Sequence, residues 1–418
     1  MVIVEQICPR FGKPLCAQFA RPFYPGLSPT LTSNLQSPGF PTAPARCWDV
    51  FCPVVDNFGD IGVCWRLARQ LVAEHGLAVR LWIDDLKSAR RLIPTLDPQA
   101  ACQWVEDVEI CHWAEPLPEV VPGEVVIVAF AGSLPNTFLT GMACCAPCPR
   151  WINLEYLSAE SWVAGCHGLP SPHPGLPLVQ HFFFPGLDSG TGGLLREADH
   201  AVRRSQFSED AFRRFFDLPP REPGQCLVSL FSYENLGLGE LLASWSHGKR
   251  QVLCLVPEGR VLPGVAAWLG VSGLQPGDRI RKGSLTVTVL PFVEQSRYDE
   301  LLWACDLNFV RGEDSFVRAQ WAELPFVWHI YAQQDDVHLE KLNAFMTRYV
   351  AGLTPSAARA VENFWRAWNL GEGVGASWPA FEAALPALAS YAPAWSAHLQ
   401  DAGDLAGNLV RFCKVEIE

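Results

Sequence analysis

From Cys47 onward, apolar runs of strand length alternate with stretches of helical periodicity. Residues 48–55 read as a buried strand, followed by a glycine-containing turn and an amphipathic helix over 63–74. Residues 78–83 form a second expected strand ending on Asp84 and Asp85, then a helix near 86–93, and further strands at 125–131 and 151–154. Two breaks follow, one glycine-rich at 186–193 and one at 219–224. After them the rhythm restarts: strand 225–231, helix around 236–244, strand 251–256, helix 261–269, strand 285–290, helix 295–303 and strand 307–310. Such alternation implies parallel sheets, and a hinge is expected between the two breaks.

A chain of 418 residues exceeds what one hydrophobic core usually supports, so two α/β halves are expected. The predicted division is a disordered extension at 1–46, rich in Pro, Ser and Thr, a Rossmann-like half at 47–190, a linker at 191–224, a second Rossmann-like half at 225–385 and a helical segment at 386–418. Ligands of open α/β sheets bind at the carboxyl ends of the strands, so the two halves are expected to face a central cleft, as in the GT-B glycosyltransferase architecture. Architecture alone fixes no chemistry.

Charge narrows the partners. With 32 basic against 44 acidic residues the net charge is −12, which argues against a direct nucleic-acid binder. No apolar run approaches the roughly 18 to 20 residues that span a bilayer, and no secretion signal is recognisable. The 15 cysteines show no repeated spacing, and a chain of this size needs no disulfide frame, so a reducing cytoplasm is the expected location. Cys145 and Cys148 form a CxxC pair, but it follows a helix and precedes a strand, unlike a redox motif, and reads as structural thiols.

Two clusters carry candidate chemistry. Asp56 and Asp60 stand four apart around the turn that opens the first helix, with Gly59 and Gly62 allowing close approach of an acceptor. The bland explanation is that an aspartate there caps the helix. In the second cluster a strand runs through Arg311 and Gly312 into Glu313, Asp314 and Ser315 at a helix start, where free N–H groups, the helix dipole and the arginine favour a diphosphate. A capped helix with a surface ion pair remains the alternative. Aromatic residues at neighbouring strand ends, Phe231 with Tyr233 and Phe292 near Gln295, can stack on a pyrimidine or simply pack. No phosphate-loop motif, no GxSxG elbow, no DxD pair and no His/Cys set with metal-ligand spacing is present, so no metal or cofactor is expected.

Residues 56–68 (Asp-Asn-Phe-Gly-Asp-Ile-Gly-Val-Cys-Trp-Arg-Leu-Ala) and 311–315 (Arg-Gly-Glu-Asp-Ser), with 151–160 and 181–186, resemble the arginine rhamnosyltransferases of translation elongation factor P. The resemblance runs from Cys47 to the C-terminus. It implies an inverting, metal-independent transfer of L-rhamnose from dTDP-β-L-rhamnose to an arginine of elongation factor P, which activates that factor to relieve ribosome stalling at polyproline. It also implies that the first half is the acceptor side and the second the nucleotide-sugar side. By match, Asp56, Asp60 and Glu313 become the catalytic carboxylates, and Phe231, Tyr233, Phe292, Gln295, Arg311, Asp314 and Ser315 the donor contacts. Gly59, Gly62 and Gly312 are close-approach positions. Two competing readings keep the fold: a glycosyltransferase with another acceptor, or a non-catalytic nucleotide-sugar-binding module.

Overall fold

The computed structural model describes residues 47–56, 58–333 and 336–415; the extension expected at 1–46 lies outside them. The first sheet contains β1 (Cys47–Cys52), β2 (Ala78–Ile83), β3 (Cys102–Val105), β4 (Val108–His112), β5 (Val125–Ala129), β6 (Arg150–Leu154), β7 (Pro170–Pro172) and β8 (Val179–Phe183). Its order is β3-β4-β2-β1-β5-β6-β8-β7. The second contains β9 (Cys226–Leu230), β10 (Val252–Pro257), β11 (Arg279–Lys282), β12 (Leu285–Leu290), β13 (Leu307–Arg311) and β14 (Phe326–His329), in the order β11-β12-β10-β9-β13-β14. Within each sheet the strand order reverses at the first strand, between β1 and β5 and between β9 and β13. That is the doubly wound topology, and it opens a crevice at the carboxyl ends of those strands. The fold is α/β with GT-B architecture.

The central strands are apolar on both faces, as parallel strands covered by helices must be. β5 (Val-Val-Ile-Val-Ala) and β9 (Cys-Leu-Val-Ser-Leu) are buried throughout. One charge interrupts this core, because Asp49 in β1 is fully buried. Its carboxylate accepts from Arg80 Nε at 2.6 Å, Trp82 Nε1 at 2.9 Å and Gly123 N at 2.7 Å, which satisfies it.

β1 ends at Cys52, short of the expected residue 55, for a physical reason. Val54 N donates to Asp84 Oδ1, and Val55 N and Asp56 N donate to Asp60 Oδ2, so the chain exchanges ladder bonds for side-chain caps. The helix Phe58–His75 then starts five residues before its apolar stripe becomes readable. The antiparallel edge strands β3, β7 and β11 were not foreseen, since their short, part-exposed sequences lack an alternating pattern. One cysteine expectation is corrected: Cys102 and Cys111 are opposite each other across β3 and β4, Cα atoms 4.1 Å apart, and are joined as a disulfide. That pairing depends on the register of two strands and leaves no trace in spacing.

The helices Pro355–Leu370 and Val374–Gln400 pack as a hairpin, with Phe364 stacked on Phe381 at 4.4 Å, and the break expected at 385/386 falls inside the second of them. The chain then returns to the first half. The helix Leu405–Val415 packs beside Phe58–His75, where Gln70 Nε2 donates to Asp404 Oδ1 at 3.1 Å. No helix among the described residues is long and apolar enough to cross a membrane.

A buried ionic lattice ties the halves together beneath the crevice. Arg66 of the first half, 1% exposed, grips Glu197 of the connecting segment at 2.7 and 2.8 Å and Asp314 of the second half at 2.7 Å. Arg318 adds Asp314 at 3.2 Å and Asp299 at 2.8 Å, and Arg203 reaches Asp299 at 2.8 Å. Three guanidinium groups thus face three carboxylates. Burial works against ionisation of Glu197, Asp299 and Asp314, yet the arginines hold all three carboxyls below the usual range.

Candidate active site

Every sequence-predicted site residue lies at a strand's carboxyl end or on the helix that follows it, and the crevice brings the two clusters together. Asp56 follows β1; Phe231 and Tyr233 follow β9; Phe292 and Gln295 follow β12; Arg311 ends β13, with Gly312, Glu313, Asp314 and Ser315 leading into the helix Asp314–Trp321. An open hollow is lined by Asp56, Gly59, all seven expected donor residues and Phe58, Tyr298 and Glu258 among others. A second hollow, toward Arg91, Arg260 and Leu262, shares Asp56, Phe58, Glu258, Phe292 and Arg311 with it, so the crevice is continuous.

The aromatic residues form one wall. Phe58 and Phe292 meet edge to face across the halves at 5.7 Å, and within the second half Phe231 meets Tyr298 edge to face at 5.6 Å. The Arg311 guanidinium sits 4.5 Å from the Phe231 ring centre and 4.8 Å from that of Tyr233. Its Nη1 is buried without a hydrogen-bond partner among the described residues, as is Oε1 of Gln295. A buried cation and a buried acceptor left open on a cavity wall can hydrogen-bond a ligand there. Other expected donor contacts are already engaged within the protein. The Asp314 carboxylate is taken by Arg66, Arg318 and Gln295 Nε2. The Ser315 hydroxyl accepts from Arg311 N at 3.0 Å and donates to Arg311 O, fixing the arginine's place at the end of β13.

The carboxylates converge around two tyrosines. Asp56 Oδ2 accepts from Tyr233 OH at 2.6 Å across the crevice. Asp60 is 2% exposed, and its Oδ2 accepts Val55 N at 2.8 Å and Asp56 N at 2.7 Å while Oδ1 accepts Tyr156 OH at 3.2 Å. The capping explanation thus describes one oxygen of Asp60, and the other has only a long bond. Glu313 Oε2 accepts Leu157 N at 3.0 Å, a bond between the halves. Burial pushes the Glu313 carboxyl up to about 8, with Asp60 adding to the rise. Burial also raises Asp56, against the Tyr233 hydrogen bond and Arg311, and raises Asp60, against its backbone caps. Both tyrosine hydroxyls are pushed above their ordinary range, first by burial and then by the aspartates they touch, and so remain protonated donors.

The glycines are expected to admit ligands; here Gly62 and Gly312 admit groups of the other half of the protein, and Gly59 admits the Asp56 carboxylate of its own turn. A Cβ on Gly312, whose φ is +61°, would meet Asp56 Oδ2 and Tyr233 OH at 3.0 Å, and one on Gly62 would meet Asp314 Oδ2 at 3.1 Å. Gly59 would meet Asp56 Oδ2 at 2.9 Å.

With two signature clusters meeting in one crevice, comparison with known proteins becomes decisive. Residues 48–414 match the family described as Elongation-Factor P (EF-P) rhamnosyltransferase EarP. The chain belongs to this family. A protein-arginine rhamnosyltransferase of Pseudomonas putida is 51% identical over 373 residues, 87% of this chain and 98% of that protein. One from Neisseria meningitidis is 38% identical over 349 residues, 80% and 87% of the two chains. A solved structure described as the basis for EarP-mediated arginine glycosylation of translation elongation factor EF-P aligns with a TM-score of 0.63 at 39% identity, covering 88% of this chain and 98% of that one. The resemblance read from residues 56–68 and 311–315 is therefore borne out, and membership sets the chain among the protein-arginine rhamnosyltransferases.

Several residues of this family member's site were not singled out from its sequence. Tyr156 packs on Phe130 at 4.3 Å and bonds Asp60. Lys341 lies 5.9 Å from the Tyr156 ring centre and offsets the charge of Glu155 and Glu313. His329, paired with Arg311 across β13 and β14, holds Ser232 Oγ at 2.8 Å and is pushed down to about 4 by burial and Arg311. Tyr156 and His329 give no sequence signal beyond a tyrosine or histidine at a strand end, and Lys341, within the helix Val337–Tyr349, gives none.

Proposed function

We propose that this enzyme transfers L-rhamnose from dTDP-β-L-rhamnose to an arginine side chain of translation elongation factor P in the cytoplasm, with inversion and without a metal. The observation that carries this reading is the meeting, in one crevice, of the buried Arg311 and an aromatic wall with Asp56, whose backbone N–H is held by the buried Asp60, with Glu313 close enough to Asp60 to feel its charge. The family supports the acceptor, since the aligned solved structure concerns glycosylation of EF-P.

On the donor side, the pyrimidine stacks on the Phe231 and Phe292 wall, and Arg311 with the start of the helix Asp314–Trp321 binds the diphosphate. On the acceptor side, the guanidinium enters among the three carboxylates. An arginine resists attack chemistry because its charge is delocalised and its pKa exceeds about 12, so it must be oriented and relieved of a proton. Asp60 is anchored through Oδ2 and presents Oδ1; it orients the guanidinium and receives the proton as the nitrogen–anomeric carbon bond forms. The anomeric carbon–phosphate oxygen bond breaks as that bond forms, and dTDP leaves with the electron pair, its charge met by Arg311. One displacement converts the β donor into an α-rhamnosyl arginine.

Glu313 carries its own proton at neutral pH, so it does not repel the donor diphosphate. A guanidinium arriving beside it favours the ionised form. Calorimetry of acceptor binding at pH 7 in buffers of different ionisation enthalpy is expected to find close to one proton released, falling toward zero in Glu313→Gln. An unchanged release in that variant would assign the proton elsewhere.

Incubation of the enzyme with elongation factor P and dTDP-L-rhamnose is expected to add one deoxyhexose to the intact mass, with fragmentation locating it on arginine. Donor binding without an adduct would remove this acceptor and favour a glycosyltransferase acting elsewhere.

A further inference from the structure

We infer that Tyr233 is a positioning residue for Asp56: its hydroxyl reaches from the donor wall across the crevice and fixes the acceptor-side carboxylate in place and in its ionised form. The inference rests on the proposed reading of Asp56 as part of the acceptor site. It gives Tyr233 a role beyond contact with the nucleotide sugar.

The geometry is specific. Tyr233 follows β9 in the second half, and Asp56 follows β1 in the first. Their 2.6 Å bond is a charge-assisted contact between the halves at the site itself. The tyrosine ring is held on several sides: by the Arg311 guanidinium at 4.8 Å, by the Arg260 guanidinium at 5.5 Å, and edge-on by His329 at 5.3 Å and Tyr331 at 5.6 Å. A ring so confined delivers its hydroxyl to one place. Gly312 completes the fit, because any Cβ there would press on both Tyr233 OH and Asp56 Oδ2.

The charged and titratable groups that face Asp56 come from both halves. Tyr233, Arg311 and Arg260 favour its carboxylate, and Asp60 opposes it; Tyr156, bonded to Asp60, also feels its charge. Burial disfavours the carboxylate more than any of these. The Tyr233 hydroxyl is the only one of the favouring groups that touches Asp56 by a hydrogen bond among the described residues. A hydrogen bond donated to the ionised form lowers a carboxyl's pKa, so removing it raises that pKa and leaves less carboxylate at a given acidic pH.

The test is the pH dependence of elongation factor P binding to the full-length enzyme, measured as Kd for wild type, Tyr233→Phe, Asp56→Asn and the double variant. Phenylalanine keeps the ring beneath Arg311, and thermal melts and dTDP binding report on fold and donor wall. In Tyr233→Phe the acid limb of acceptor affinity is expected to move up by about one to two pH units, roughly a 10- to 100-fold change in the ionisation constant. In the Asp56→Asn background the same substitution should move the limb no further, the non-additivity that a direct contact requires. A limb that stays in place while dTDP affinity falls would make Tyr233 a donor contact only and overturn the inference. So would an equal shift in both backgrounds. If wild type binds and glycosylates elongation factor P normally while Tyr233→Phe behaves like it at every pH, this inference fails and the functional reading stands. Failure of wild type to modify the acceptor at all removes both.

Discussion

Asp60→Asn is expected to keep its fold and its affinity for dTDP while transferring rhamnose about 10²- to 10⁴-fold more slowly, the usual worth of a positioned general base. Asparagine retains one carbonyl oxygen, which can still accept the N–H groups of Val55 and Asp56 that Asp60 Oδ2 takes at 2.8 and 2.7 Å. Its amide can face the Tyr156 hydroxyl. The substitution therefore removes the negative charge and the proton-accepting oxygen with little change to the turn. Asp60→Ala tests the other half of the argument. It leaves two backbone donors without their cap and should lose about 1 kcal/mol of stability in addition to the activity. Single-turnover transfer rates, dTDP titration and denaturant melts on the two variants separate chemistry from capping. Equal loss of donor binding and transfer in Asp60→Asn would contradict the assignment of Asp60 to the acceptor side. Stability lost by Asp60→Ala alone, with transfer intact in both variants, would reduce Asp60 to a cap.

The second large effect lies below the site. Arg66→Met, which keeps length and apolar packing but removes the charge, should cost about 3–5 kcal/mol in a denaturant titration, because Glu197 and Asp314 lose their shared partner inside the protein. The arginine is 1% exposed and makes three hydrogen bonds, two to Glu197 and one to Asp314. Removing one cation from a balanced set of three and three leaves a net negative charge among largely buried carboxylates, Glu197 and Asp314 being 23% and 15% exposed. The damage should extend to the donor wall, since Asp314 and Gln295 line the cavity and Gln295 Nε2 bonds both Asp314 and Gly62 O. Weaker dTDP binding is therefore expected alongside the lost stability. A loss below about 1 kcal/mol would mean that the lattice behaves as a solvated surface pair, whose median worth lies in that range.

Reading the chain in advance succeeded where the signal is local. The strand Val252–Pro257 and the helix from Gln295 are visible because burial on both faces demands a continuous apolar run and a helix demands a repeating stripe. Asp56, Asp60 and Arg311 are legible for a different reason: charged residues at a strand's carboxyl end or in the helix start that follows it stand where open α/β sheets bind their ligands. What failed to show was anything set by a partner distant in sequence. Tyr156 and Asp60 are 96 residues apart and Arg66 and Asp314 are 248; the Cys102–Cys111 disulfide, with a separation of 9, depends instead on the register of the edge strand β3 against β4.

The same division runs through the site. Sequence by itself determined the doubly wound halves, the signature clusters and the family, because backbone propensity, apolar periodicity and a contiguous motif are all properties of short stretches. Only the tertiary structure decided which atoms of those motifs remain open. Asp314 and Ser315 read as donor contacts, yet their polar groups are bonded within the protein, while Arg311 Nη1 and Gln295 Oε1 are left without a hydrogen-bond partner among the described residues. Gly62 and Gly312 serve the closure of one half on the other, and Glu313 holds its proton to about pH 8 because folding buries it near Asp60. Hydrogen-bond saturation and desolvation are fixed by what surrounds a group in space, and no spacing along the chain encodes that.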